Sequence, residues 1–368
     1  MRRLLLASLL VACGPAAPAA TAPAAAPVAP AAESVPAAAA ATVPEGDASA
    51  SEEDAATPAA TGEAFLGTAD APLLEVLAHA EITQIERGTG GRSLAFRLTF
   101  ADGSRGYFKP PQTFSGAHFF AEIASYHLDR MLGLGRVPPT IGRRLSWGPL
   151  REVAGGDART SEAIVDRDHV CGSLSYWVPE RLVPLRLGLG WEAWVRFAPP
   201  PAISPFQRAR VYAAQAAGSL AGPEPTETLR AADAPDTEDR AAELSDLVLF
   251  DYLTENIDRW GGDYTNVRTR GAGGPLVFLD NAAGFIASHA ASPSFMDARL
   301  HAVQRFRRST VAAIRALSID ALRARVEGDA CAPILDERLY AQLEERRAAL
   351  LAHVDRMVAE HGEAALPW

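Results

Sequence analysis

Four widely separated polar side chains in this chain have the types that phosphate chemistry requires. Lys109, in "SRGYFKPPQ", is the only lysine among 35 basic residues; the other 34 are arginine. A lysine presents a compact point charge on a flexible stem, whereas arginine presents a wide planar fork, so a narrow site for a cation favours the former. Glu122 sits among apolar residues in "AEIASYHLDR", Asp258 lies in "ENIDRWGGDYTN", and Asp280 lies in "VFLDNAAGF". Acidic groups at the mouths of buried elements are costly unless a cation, a metal or hydrogen-bond donors satisfy them. A lysine can neutralise phosphate, paired carboxylates can hold a hard divalent ion such as Mg²⁺ or Mn²⁺, and an Asp can orient or accept the proton of a hydroxyl. Each acid also has a plain reading by itself. Asp258-Arg259 could be a local ion pair, and Asp280-Asn281 a simple turn.

The elements that must position these groups follow from periodicity. "SLAFRLTF" and "GYFK" read as strands joined by a hairpin turn at Asp102-Gly103. Upstream, "RGTGGRS" places Gly88, Gly90 and Gly91 in a strand connection, either a flexible hairpin or a loop whose amides approach phosphate. Phe120, Ile123, Ala124, His127, Leu128 and Met131 recur at helical spacing until Gly133 and Gly135 stop the helix. A strand is expected at 173–180, a polar surface loop at 221–243, and an apolar helix over "LSDLVLFDYLTENIDR". "GGPLVFLDNAAGF" reads as a buried strand ending at Asp280, and amphipathic helices are expected at 296–318, 319–328 and 334–361. Strands first and helices second give an α+β protein of two lobes, β-rich then mostly helical, with a cleft between them.

The remaining sequence bounds the setting. "MRRLLLASLLVAC" has a positive start and a short apolar run, and "LVAC" reads as a bacterial lipobox whose Cys13 would be lipidated. Gly14 after that cysteine suits sorting to an outer membrane, so an extracytoplasmic, lipid-anchored protein is expected. Residues 14–62, almost entirely Ala, Pro, Thr, Ser, Glu and Gly, read as a disordered tether. The expected organisation is therefore 1–13 signal and lipobox, 14–62 tether, 63–172 first lobe and 173–368 second lobe. A formal net charge of -10 without a basic run argues against nucleic acid as a partner, and the lipid is the expected membrane contact. Cys171 and Cys331 could pair in an oxidising envelope, although two cysteines define no framework.

A strand lysine, a helix glutamate, a loop aspartate and an aspartate after a strand form the running order of a kinase active site. The strings G-x-G-x-x-G, H-R-D and D-F-G are nevertheless missing. "AEIASYHLDRMLGLGRVPPTIGRRL" resembles the helix and following segment of the atypical secretory-pathway kinases, the group of the Golgi casein kinase, the glycosaminoglycan xylosylkinase and the four-jointed kinase. "LSDLVLFDYLTENIDR" and "GGPLVFLDNAAGF" are similar to four-jointed in particular, and "QRFRRSTVAAIRAL" also follows the family pattern. The resemblance spans about residues 80–320.

It implies an atypical protein-kinase-like fold and a transfer of the γ-phosphoryl of ATP, with Mn²⁺ or Mg²⁺, to a hydroxyl of an extracytoplasmic protein or glycan. Under that reading Lys109 contacts the nucleotide phosphates, Glu122 binds metal and nucleotide, Asp258 is the catalytic aspartate, and Asp280 binds metal. Ser175, Tyr176, Trp177 and Val178 would form the hinge beside adenine. Asp263 would be a polar ligand of the nucleotide, with Asn266 as its rival. Trp260 stands where the Golgi casein kinase has histidine, and most of the family's cysteines are absent. The alternative is a non-catalytic envelope lipoprotein of the same fold that binds nucleotide, glycan or a protein.

Overall fold

The computed structural model describes residues 63–114, 116–185, 187, 191–197, 238–261, 264–286 and 292–368. Cys13, the expected tether and Asp263 lie outside them. A small ribbon, β1 (Ala64–Phe65) with β2 (Thr68–Ala69), precedes helix α1 (Asp70–His79). Then come β3 (Ile82–Arg87), β4 (Phe96–Phe100), β5 (Arg105–Lys109), helix α2 (Phe119–Met131), β6 (Thr140–Ser146), α3 (Trp147–Ala154) and β7 (His169–Tyr176). These strands build a five-stranded antiparallel sheet in the order β3-β4-β5-β7-β6.

Strand alternation decides which face of this sheet does what. Phe96, Leu98 and Phe100 of β4, Phe108 of β5 and Leu174 of β7 point to one side, where they pack with Leu77 of α1 and Leu150 of α3. Period-2 alternation puts Tyr107, Lys109, Ser173 and Ser175 on the other face. The β4–β5 hairpin turns at Gly103, whose φ of 83° is open to glycine at little cost.

The second part contains β8 (Leu182–Pro184), α4 (Glu238–Thr254), β9 (Arg268–Arg270), β10 (Leu276–Val277), α5 (Ser292–Ala302), α6 (Arg308–Ala316), α7 (Ile319–Val326) and α8 (Glu337–His361). Leu244, Leu247, Val248, Leu249, Phe250 and Leu253 of α4 are all buried, so this helix is buried on every side and forms the centre of the helical core. α8 contributes a stripe through Leu339, Leu343, Leu350, Val354 and Met357. α2 belongs to the same core through Ala121, Ile123, Ala124 and Leu128, which ties it to the helical lobe while Glu122 remains directed at the sheet. The two-lobed α+β architecture is as expected.

Several details differ from expectation. β7 runs from His169 to Tyr176, so the strand passes through the 172/173 lobe boundary and the first sheet ends beyond it. Part of the expected polar loop, residues 238–243, is the first turn and a half of α4, because Ala241 and Ala242 are buried in the helical core. The helix expected at 296–318 is broken between α5 and α6. There Gln304 N–H donates to Val195 O (2.8 Å), Phe306 N–H to Ala365 O (2.8 Å) and Arg308 N–H to Trp368 O (2.6 Å), so tertiary partners replace helical ones. Cys171 and Cys331 form a disulfide with Cα atoms 5.5 Å apart, joining β7 to the segment before α8.

Candidate active site

Lys109 leaves the end of β5 and enters the gap between α2 and the segment after β10. Its Nζ lies 2.5 Å from Glu122 Oε1 and 2.7 Å from Asp280 Oδ1. The second oxygen of Glu122 accepts the backbone N–H of Asn281 at 3.1 Å. Lys109 and Glu122 are buried, whereas the Asp280 side chain is 44% exposed and so faces the open cleft. Burial opposes the charge on Lys109, but Asp280 and Glu122 together outweigh it and hold its pKa above the ordinary lysine value. The same ammonium holds the Asp280 carboxyl below its usual range. The lysine and the Asp280 carboxylate are therefore charged at neutral pH.

Asp280 is aimed by its backbone, with φ at 59° in the left-handed region, and its carbonyl accepts from Asn256 Nδ2 at 3.4 Å. Arg259 fixes what surrounds it. Its fully buried guanidinium donates to both oxygens of Asp251 (3.0 and 2.8 Å), to Leu279 O (2.5 Å) and to Asn281 Oδ1 (2.5 Å). Asn281 Nδ2 in turn donates to Phe278 O at 3.0 Å. The Asp258-Arg259 ion pair that adjacency suggested does not form: Arg259 turns inward to Asp251, eight residues upstream on α4. Asp258 is thereby left exposed at the head of a short 3-10 turn, Asp258–Trp260.

Asn266 joins the two aspartates. Its Nδ2 donates to Asp258 Oδ2 at 3.4 Å and to Asp280 Oδ2 at 3.2 Å, so both carboxylates face one cleft. Asn266 therefore lies at the cleft, whereas Asp263 lies outside the described residues. Trp260 is buried, with the Arg299 guanidinium 5.4 Å above its ring.

Of the expected hinge residues, Ser175 and Tyr176 end β7, and Trp177 and Val178 follow it. Ser175 Oγ accepts from Thr140 Oγ1 at 2.9 Å, and Tyr176 packs toward the core of the first lobe. Trp177 N–H donates to Arg105 O at 2.9 Å, and Val178 packs with Phe65 and Val277. The glycine-rich connection between β3 and β4 is held from the side. Arg159 Nη1 donates to Ser93 O at 2.9 Å, and Arg92 forms a two-pronged pair with Glu162 at 2.5 and 2.9 Å.

Among the described residues, no three His, Cys, Asp or Glu side chains gather into a metal cage. The donor set is nonetheless hard oxygen: Glu122 and Asp280 meet at Lys109, with Asn266 beside Asp280. One or two carboxylates, with the remaining positions supplied by phosphate and water, is how Mg²⁺-type ions are bound in nucleotide sites. The residues fit such an ion.

The sequence reading named Lys109, Glu122, Asp258 and Asp280, and the fold brings all four to one cleft. It did not single out Asn281, Asn256, Asp251 or the inward role of Arg259. One signal was available: Asp251 interrupts the apolar run "LVLFDYL", and a buried acid demands a partner.

The profile of the family described as "Golgi casein kinase, C-terminal, Fam20" matches residues 68–366. Human four-jointed box protein 1 is 30% identical over 307 residues, which cover 77% of this chain and 60% of that protein. Mouse pseudokinase FAM20A is 26% identical, covering 78% of this chain and 58% of its own. Human extracellular serine/threonine protein kinase FAM20C is 24% identical, covering 79% and 55%. The chain thus spans three fifths or less of each of these relatives. The fold is similar to the Golgi casein kinase crystallised with Mn/ADP, with a TM-score of 0.55 at 21% identity over 81% of this chain and 78% of that one. Among the described residues no helix is long and apolar enough to cross a membrane.

Proposed function

This chain belongs to the Fam20 family of the Golgi casein kinase, and on that premise we propose that it transfers the γ-phosphoryl of ATP to a hydroxyl of an extracytoplasmic acceptor. The observation that carries the reading is the Lys109 ammonium held between Glu122 and Asp280, with Asp258 tied to the same cleft through Asn266. In this reading Lys109 contacts the donor phosphates. Asp258, exposed and not engaged by its neighbour Arg259, takes the proton of the acceptor hydroxyl. Asn266 keeps the two aspartates in register, and Glu122 and Asp280 hold Mn²⁺ or Mg²⁺. That ion, when bound, supplies charge neutralisation at the phosphates. Ser175, Trp177 and the backbone around them border the base. We favour a protein serine or threonine over a glycan as acceptor.

We further propose that Cys13 carries a lipid and that residues 14–62 tether the domain to an outer membrane. The Cys171–Cys331 disulfide supports an oxidising compartment of that kind.

A second reading has its own support. FAM20A, a pseudokinase, is among the relatives, so a non-catalytic member of this fold is the alternative. Retention of Lys109, Glu122, Asp258 and Asp280 together favours the enzyme. The test is to incubate residues 63–368, or the full chain, with labelled ATP and Mn²⁺ or Mg²⁺ beside Asp280→Ala. Label transfer by the native protein, reduced at least about 100-fold in the variant, is expected from the loss of a positioned charge. Absence of transfer together with absence of metal-dependent nucleotide binding overturns the proposal.

A further inference from the structure

The strand that carries Lys109 loses its backbone partner just where the lysine stands. The β4–β5 register ends at Phe96–Phe108, and Lys109 is followed by Pro110 and Pro111, which have no N–H to offer a neighbouring strand. A side chain takes over the pairing. Gln112 Oε1 accepts the backbone N–H of Leu94 at 2.7 Å, and Gln112 Nε2 donates to Leu94 O at 2.9 Å and to Pro110 O at 3.1 Å. The amide meets both backbone groups of one residue, as a ladder partner would. Leu94 is fully buried and Gln112 nearly so, so without the amide two backbone groups would stand unpaired in an interior.

Leu94 is where the glycine-rich connection returns to β4, and Gly88, at its other end, donates its N–H to Ala95 O at 2.7 Å. The main chain around Gln112 is fixed from the opposite side. Ile164 N–H donates to Pro111 O and Thr113 N–H to Glu162 O, both at 2.8 Å, and Gln112 faces Ala163 in an antiparallel bridge. Glu162 is also the partner of Arg92 in the connection. Three segments therefore meet at Gln112: the glycine-rich connection, residues 162–164 and, three residues back, the strand end that aims Lys109.

We propose that Gln112 is a positioning residue for donor binding: its amide sets the register of the glycine-rich connection against Lys109 and holds the connection in its binding-competent place. It acts through Leu94 and touches neither nucleotide nor metal. The proposal rests on the nucleotide-binding reading above and goes beyond it by assigning the residue that replaces the ladder bonds lost to Pro110 and Pro111. A Gln112 that only filled the interior, with the arginine pairs holding the connection, would affect stability and leave the connection and the donor affinity as they are.

Amide hydrogen exchange and calorimetric titration with Mn–ADP test this on the full chain. Gln112→Met keeps the length of the side chain and removes its hydrogen bonds. Exchange at Gly88, whose acceptor Ala95 O the variant leaves in place, is expected to rise by about 5–30-fold, and Mn–ADP to weaken by a similar factor, as two ordinary hydrogen bonds no longer hold the connection. Exchange in α8, far along the chain, reports any general loss of stability and is expected to rise less. Gln112→Glu keeps the acceptor for Leu94 N–H but, when ionised, has no donor for Leu94 O. It is expected to bind Mn–ADP like Gln112→Met at about pH 8, and within about 3-fold of wild type at about pH 5.5, where protonation restores a donor. Arg92, Arg159 and Glu162 are common to all three proteins, and each variant is compared with wild type at the same pH. Should Gln112→Met fail to fold, the Gln112→Glu titrations decide alone. Wild-type affinity in Gln112→Met, exchange that rises equally in α8, or a Gln112→Glu still as weak as Gln112→Met at the lower pH overturns the assignment while leaving nucleotide binding intact. A wild type that binds no Mn–ADP overturns the nucleotide reading itself and the proposal with it.

Discussion

Lys109 is the residue on which the chemistry turns, and its surroundings explain why arginine does not stand there. The ammonium fits between two carboxylates at 2.5 and 2.7 Å from a buried stem. A guanidinium is longer and planar, with its donors spread across a fork, so it would displace either Glu122 or Asp280. Displacing Glu122 also frees the Asn281 amide that its second oxygen accepts. Lys109→Arg is therefore expected to lower phosphoryl transfer by about 100-fold or more, with the circular dichroism spectrum near wild type and the stability lowered by about 1–3 kcal/mol. Full activity in that variant would show that the site needs only a positive charge.

At the scale of elements, α4 and the two segments that carry Asp258 and Asp280 are one unit, joined by Arg259. Burial pushes the Asp251 carboxyl up to about 6, and the Arg259 charge opposes that rise. Because the folded pKa lies above the unfolded one, Asp251 makes the protein lose stability as pH climbs from about 4 to 6. Arg259→Met removes the opposing charge, raises the folded pKa further and extends that decline upward. The variant is expected to be destabilised by about 3–5 kcal/mol at neutral pH, since it leaves a buried acid uncompensated. Denaturant titrations across pH 5 to 8 should show the deficit growing with pH. A deficit independent of pH would mean that the bonds from Arg259 to Leu279 and Asn281, rather than its pairing with Asp251, carry the effect.

On the scale of the whole molecule, the two lobes are latched by a disulfide. The Cys171–Cys331 disulfide crosses 160 residues of sequence, and beside it Asp329 Oδ2 accepts the backbone N–H of Gly142 at 2.7 Å. No side chain fits at Gly142, where a Cβ would come within 2.0 Å of Asp329 Oδ1. Replacing both cysteines by serine is expected to lower stability by about 2–5 kcal/mol, read from the denaturant midpoint under non-reducing conditions. An unchanged midpoint would assign the latch to Asp329 and the surrounding packing instead.

What the sequence alone determined is what short-range patterns carry: the hairpin that ends in Lys109, the helix of Glu122, the apolar helix α4, and the two acids at the ends of apolar runs. Alternation and helical spacing are local, so those elements could be read without the fold. Tertiary structure decided the pairings. Arg259 adjoins Asp258 in sequence yet bonds Asp251, because a fully buried acid gains more from a cation than an exposed one does. Spacing left Asn266 as a rival of Asp263, and only the folded loop brings its side chain to both aspartates. The disulfide and the break between α5 and α6 likewise depend on groups far apart in the chain. Local preference cannot specify these contacts, since each is decided by which distant partner burial leaves within reach.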